Sequence, residues 1–227
     1  MCLILVAWKT VPGFPLVVAA NRDEYHARPA ARAAFWKDEP AILAGRDLEA
    51  LGTWMGVARN GRFAAVTNYR GGHEPRAAQS RGALVAGFLL DGAAPRDYVA
   101  AVAGRGASYS GFNLLAADEE SLCWVSNRSG APRRLEPGIY GLGNLLLDTP
   151  EVAAHKQAFA RALEPGPSIE PLFSVLAAAK IVTPEYGTRC ATVLIKGSDG
   201  IVRFAERAFE AAGGEGETLR FELRQSA

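Results

Sequence analysis

The hydrophobic pattern opens with two apolar, β-branched runs, CLILVAW at 2–8 and PLVVAA at 15–20. Between them lies KTVPGF, whose Pro12 and Gly13 mark a turn, so the runs pair as a buried hairpin. The second run empties into the polar cluster Asn21, Arg22, Asp23, Glu24. GTWMGVA at 52–58 and RFAAVTNY at 62–69 flank Asn60-Gly61, a strong hairpin signal that sets Asn68 near a strand end. SRGALVAGFLL (80–90) and PRDYVAAVAG (95–104) have helical spacing, the second with Pro95 where a helix can begin without losing a hydrogen bond.

Strand material resumes with FNLLAAD (112–118), SLCWVSN (121–127) and GIYGLGN (138–144). In DTPEVAAHKQAFARAL (148–163), Thr149 is placed to cap a helix and Pro150 to occupy its first position. IEPLFSVLAAAK (169–180) predicts a further helix. TRCATVLIK and GIVRFAERAF around GSDG form a hairpin, and TLRFELR (218–224) a last edge strand. No βαβ alternation demands a parallel sheet, so the order suits an α+β fold of two largely antiparallel sheets with helices outside them, in a single domain spanning 1–227.

Composition removes whole classes of function. The 25 basic and 24 acidic residues leave no electrostatic footprint for nucleic acid or an anionic membrane. Cys2, Cys123 and Cys190 are odd in number and form no C-x-x-C pair, which fits a reducing compartment. The run ending at Lys9 is far short of a signal core or a membrane span, so a cytoplasmic protein with no integral membrane segment is expected. His26, His73 and His155 are scattered, and HEPRA at 73–77 fails the H-E-x-x-H spacing, so no metal site is expected. GLGNLL at 141–146 has leucine at the third glycine position of a dinucleotide fingerprint and no helix directly after it.

Candidate chemistry centres on Cys2. Once Met1 is removed, Cys2 carries a thiol and a free α-amine, a nucleophile and its base in one residue. In the first hairpin, positions near 2 and 22 face each other, placing Arg22 and Asp23 beside the thiol. A guanidinium there favours thiolate, and a carboxylate can orient an ammonium. The oxyanion of acyl transfer needs fixed donors, for which Asn68, Asn113 and Asn144 at or near strand ends are candidates. If Met1 stays, Cys2 is only a small apolar strand residue. Arg22 and Asp23 also suit an ion pair closing the hairpin, and the asparagines suit turns.

MCLI, VVAANRDE, GTWMGVARNGRFAAVTNYR, SRGALV, GFNLL, GLGN and GTRCATVLI occur here in the order seen in the NRDE family, also called the transport and Golgi organisation family. That family is similar to N-terminal-nucleophile hydrolases of the choloylglycine hydrolase and penicillin V acylase type. The resemblance implies a four-layer αββα sandwich, with Cys2 as nucleophile, Arg22 and Asp23 as its electrostatic partners, Asn144 as oxyanion donor and Arg189 as a late active-site arginine. Asn21, Asn68 and Asn113 are the substrate-contacting candidates. Leu51 stands where the family usually has glycine, and DTPEVAAHK lacks its tryptophan-proline-lysine run, which bears on pocket shape.

Two functions follow as expectations. One is a cysteine hydrolase of an amide or thioester in a small acyl compound, requiring no cofactor. The other is a non-catalytic carrier of haem or an acyl-CoA-like lipid in the same pocket, matching the haem movement and lipid homeostasis with which the family has been connected. With no C-x-x-C-H motif, haem would be a reversibly bound cargo. The loop YRGGHEPR at 69–76 is placed to cover a pocket or simply to lie in solvent.

Overall fold

The computed structural model describes residues 2–71, 77, 79–164 and 166–225. In chain order the elements are β1 (Leu3–Val11), β2 (Phe14–Tyr25), β3 (Ala30–Phe35), β4 (Ile42–Asp47), β5 (Met55–Ala58) and β6 (Phe63–Asn68), then α1 (Gly82–Leu90) and α2 (Pro95–Gly104). There follow β7 (Phe112–Ala117), β8 (Leu122–Ser126), β9 (Arg133–Leu135), β10 (Gly138–Leu142), α3 (Ala153–Leu163), α4 (Ile169–Ala177), β11 (Tyr186–Lys196), β12 (Ile201–Phe209) and β13 (Glu215–Arg224). The α+β class and the two antiparallel sheets are as expected.

The chain divides into two compact units. The first comprises 1–28, 137–143 and 147–225, and holds a six-stranded sheet in the order β10-β1-β2-β11-β12-β13. Alternate residues of its strands, Leu3, Leu5 and Ala7, Val17 and Ala19, Ala191, Val193 and Ile195, pack with Phe159 and Leu163 of α3 and Leu172, Phe173 and Leu176 of α4. The period of two that selects this face turns Arg22, Cys190, Thr192, Lys196 and Glu206 to the other, and all five are buried.

The second unit comprises 29–136 and 144–146. Its seven strands run in the order β3-β4-β5-β6-β7-β8-β9. One face, including Ile42, Ala64, Leu114, Ala116 and Val125, packs on Leu84, Val85 and Phe88 of α1 and Val99 and Val102 of α2. Tyr98 of α2 donates to Leu84 O at 2.8 Å, and burial pushes its phenol up to about 12. Arg62 donates to Phe88 O and Ala93 O, a cation on the carbonyls that close α1.

Three local expectations are revised, and one falls outside the described residues. The helix expected from Thr149 opens as a 3₁₀ turn at Pro150–Val152, and Thr149 makes no side-chain cap. β3, β4 and β9 were not legible in the apolar pattern. β13 begins three residues earlier than TLRFELR. The segment Gly72–Arg76, with His73 and most of the 69–76 loop, lies outside the described residues, as does Met1.

Candidate active site

The β1–β2 ladder ends at Leu3 opposite Asn21, so Cys2 lies one step past the last pair, at the level of Arg22 and Asp23. Its Sγ is 3.5 Å from the carbonyl oxygen of Asp23, to which the thiol donates. The residue is half-buried and its sulfur is desolvated. Burial first, then the negative charge of Asp23, push the thiol above the ordinary thiol range. The expectation that Arg22 draws Cys2 toward thiolate is therefore not met in this geometry. The reason lies in the pairing of β2 with β11, which sets Arg22 opposite Cys190. Cys190 is itself pushed well up by burial and by Glu206, with Arg22 pulling the other way. Cys123 is raised chiefly by burial, so both inner cysteines suit the inert core role expected of them.

Asp23 is buried and held in place. Thr188 Oγ1 donates to Asp23 Oδ1 at 2.7 Å and accepts from Ile181 N at 2.9 Å. The β2–β11 register slips by one residue between Thr188 and Cys190, a bulge that throws out Arg189. Arg189 Nη1 donates to the carbonyls of Tyr25, His26 and Arg28, fastening the chain as it leaves β2. Asn21 points to the helical face, its Nδ2 donating to Leu176 O at 3.0 Å, while its buried Oδ1 has no hydrogen-bond partner among the described residues. Sequence reasoning missed Tyr186, whose hydroxyl donates to the backbone carbonyl oxygen of Asp23, the acceptor of the Cys2 thiol, at 3.2 Å. Only the register Tyr186–Tyr25 brings it there, and no local motif signals it.

The other three candidates gather in the second unit. Asn113, fully buried, pairs with Thr67 across β6–β7 and donates through Nδ2 to Thr67 Oγ1 and Leu145 O. Asn144 Nδ2 donates to Asn68 O at 2.9 Å, and Arg70 N donates to Asn144 O. Asn68, Asn113 and the segment at 144–146 thus form one bonded cluster. The buried Oδ1 of Asn113 has no partner among the described residues.

Among the described residues no group of three or more His, Cys, Asp and Glu side chains is arranged to hold a metal ion. No helix among them is long and apolar enough to cross a membrane.

The Transport and Golgi organisation 2 family model matches residues 1–211. The chain belongs to that family. A Transport and Golgi organization protein 2 homolog of Bos taurus is 36% identical over 92% of this chain and 93% of its own length, and the Homo sapiens homolog 35% identical over the same shares. A Transport and Golgi organization protein 2 of Drosophila melanogaster is 31% identical over 70% of the chain and 64% of its own length. The family membership agrees with the resemblance carried by MCLI, VVAANRDE and GTRCATVLI. Among solved structures, the C2A mutant of the conjugated bile acid hydrolase from Clostridium perfringens aligns at TM-score 0.61 and 10% identity, covering 100% of this chain and 94% of the other. A Caenorhabditis elegans ortholog of N-acylethanolamine-hydrolyzing acid amidase aligns at TM-score 0.58 and 13% identity, covering 86% and 92%. At that identity the likeness is one of fold, and the fold is that of the N-terminal-nucleophile hydrolases.

Proposed function

We propose that this chain is a cysteine hydrolase of the N-terminal-nucleophile type, cleaving an amide or thioester bond of a small acyl compound through Cys2. The observation that carries the reading is the position of the Cys2 thiol, at a strand end and on the Asp23 carbonyl, in a fold shared with two hydrolases. Removal of Met1 supplies the α-amine, whose ordinary pKa of about 8 leaves a usable neutral fraction at physiological pH. The amine takes the thiol proton as sulfur attacks the acyl carbon, and the carbonyl electrons move onto oxygen. Collapse expels the leaving amine or thiol, which takes a proton from the α-ammonium. Water then adds to the thioester of Cys2, gives its proton to the α-amine, and the acid departs as the thiol reforms.

Each candidate has a role in this scheme. Asp23, buried and fixed by Thr188, orients the ammonium, and its charge opposes premature thiolate formation. By the family resemblance Asn144 is the oxyanion donor and Asn68, Asn113 and Asn21 the substrate-contacting candidates; Asn68 and Asn113 are bonded to the 144–146 segment, and Asn21 is held on Leu176 O. By the family resemblance Arg22 is the cation of the site, and in the resting geometry its charge acts on Cys190. Arg189 shapes the β2 exit through its three carbonyl bonds. The chain works as a single domain in the cytoplasm and needs no cofactor.

One observation favours the carrier instead: a thiol pushed above its ordinary range is mostly protonated and suits an idle cysteine beside a bound cargo such as haem or an acyl-CoA-like lipid. Cys2→Ala separates the two. Under the hydrolase reading it abolishes covalent labelling by an acyl thioester with circular dichroism unchanged. Labelling that survives the substitution contradicts it, and a stoichiometric Soret shift on haem titration with unchanged acyl donor would favour the carrier.

A further inference from the structure

Tyr25 and Tyr186 close the β2–β11 ladder as directly opposed residues. Their rings meet edge to face with centroids 5.3 Å apart. Tyr186 turns its hydroxyl inward to Asp23 O, the oxygen that also receives the Cys2 thiol, so the phenol and the sulfur lie within two hydrogen-bond lengths of each other. Tyr25 is turned outward, 59% exposed. Val182, 49% exposed, bridges to Gly187 next to Tyr186. These are the two large apolar residues of the first unit that stand exposed among the described residues. Apolar side chains scattered singly over a surface need no explanation, but the exposed Tyr25 ring packs on the Tyr186 ring, which itself reaches the nucleophile's hydrogen-bond acceptor, so the two rings form a patch.

The polar atoms of the patch strengthen the case. Thr183 Oγ1 donates to Tyr186 O, and His26 N donates to Glu185 O, so the backbone of this corner is held from within while the Tyr25 ring stands exposed. An aromatic pair with one phenol tied down is a stiff platform that loses little conformational freedom when a second planar or extended apolar group stacks on it. Glu24 and Arg28, also at this corner, pair at 3.9 Å.

We propose that Tyr25 and Tyr186 form the subsite for an aromatic or extended apolar acyl group of the molecule that Cys2 attacks. The inference rests on Cys2 being the reactive thiol, and its test keeps the two apart. The full-length protein is alkylated with iodoacetamide and, separately, with N-phenyliodoacetamide, and the rate at Cys2 is followed by peptide mapping. In each reaction the sulfur forms a bond to the methylene carbon, iodide leaves with the bonding electrons, and the thiol proton goes to solvent. The subsite makes the phenyl probe faster than its parent at Cys2, relative to the same two rates on glutathione. Tyr25→Ala lowers that preference about fivefold, the worth of one ring contact. Tyr186→Phe, which keeps the ring, retains it. Equal relative rates in the unsubstituted protein, or a preference that persists in Tyr25→Ala, overturns the subsite while leaving Cys2 as nucleophile. A Cys2 that neither probe alkylates overturns both.

Discussion

The corner around Cys2 and the asparagine cluster of the second unit use opposite kinds of chemistry. Around Cys2 the groups are ionisable: a thiol, the Asp23 carboxylate, the Tyr186 phenol and the guanidiniums of Arg22 and Arg189. Around Asn113 they are neutral amides bonded to backbone carbonyls. Charges act at a distance and change with pH, so they suit a group that must gain and lose a proton. Amides do not titrate, and one anchored through its Nδ2 is held in place, so they suit the holding of an oxyanion at a fixed point. The first unit carries the titratable set and the second the fixed one.

The largest effect should separate the two sets. Asn144→Ala is expected to slow acyl transfer to Cys2 by about 10²–10³, the usual cost of one oxyanion donor. Alkylation by iodoacetamide builds no oxyanion, so it should be hardly touched. If both rates fall equally, Asn144 acts on the fold rather than on the oxyanion.

Next comes stability. Asn113→Ala removes two buried hydrogen bonds and leaves Leu145 O and Thr67 Oγ1 short of a donor, which should cost about 1–3 kcal/mol by urea unfolding. An unchanged midpoint would mean that these two bonds add nothing to stability.

The smallest effect tests the sign of the electrostatics at Cys2. The Asp23 charge raises the thiol, so Asp23→Asn should lower it toward the ordinary value. More thiolate is then present at any pH below that value, and alkylation at pH 7 should be faster than in the unsubstituted protein. In both proteins the rate should rise with pH, with the profile of Asp23→Asn displaced to lower pH. A profile displaced upward would mean that the carboxylate helps the thiolate, against the account.

How much of this was readable in the chain depends on distance along it. The β1–β2 hairpin was legible because both strands are apolar runs joined by a Pro-Gly turn, and it brought Cys2 to Asp23. β3 was not, since AARAAF is alanine-rich, weak in strand propensity and only partly buried. Glu206 reads as the polar position of an alternating strand, yet it is buried on the sheet face opposite the helices. The reason Arg22 meets Cys190 lies some 170 residues away along the chain, in the β2–β11 pairing. A hairpin rule sees one partner of a strand, whereas a central strand has two. Tyr186 was missed for the same reason, because its bond to Asp23 O exists only through that second pairing.

The central claim is that Cys2 attacks an acyl carbon with its own amine as base. The direct measurement is the intact mass of the native, untagged chain before and after incubation with an acyl thioester. The account predicts a chain that begins at Cys2 and gains one acyl group, which maps to that residue and is lost as water turns it over. A chain that retains Met1, or one that begins at Cys2 and acquires no acyl group, would contradict it.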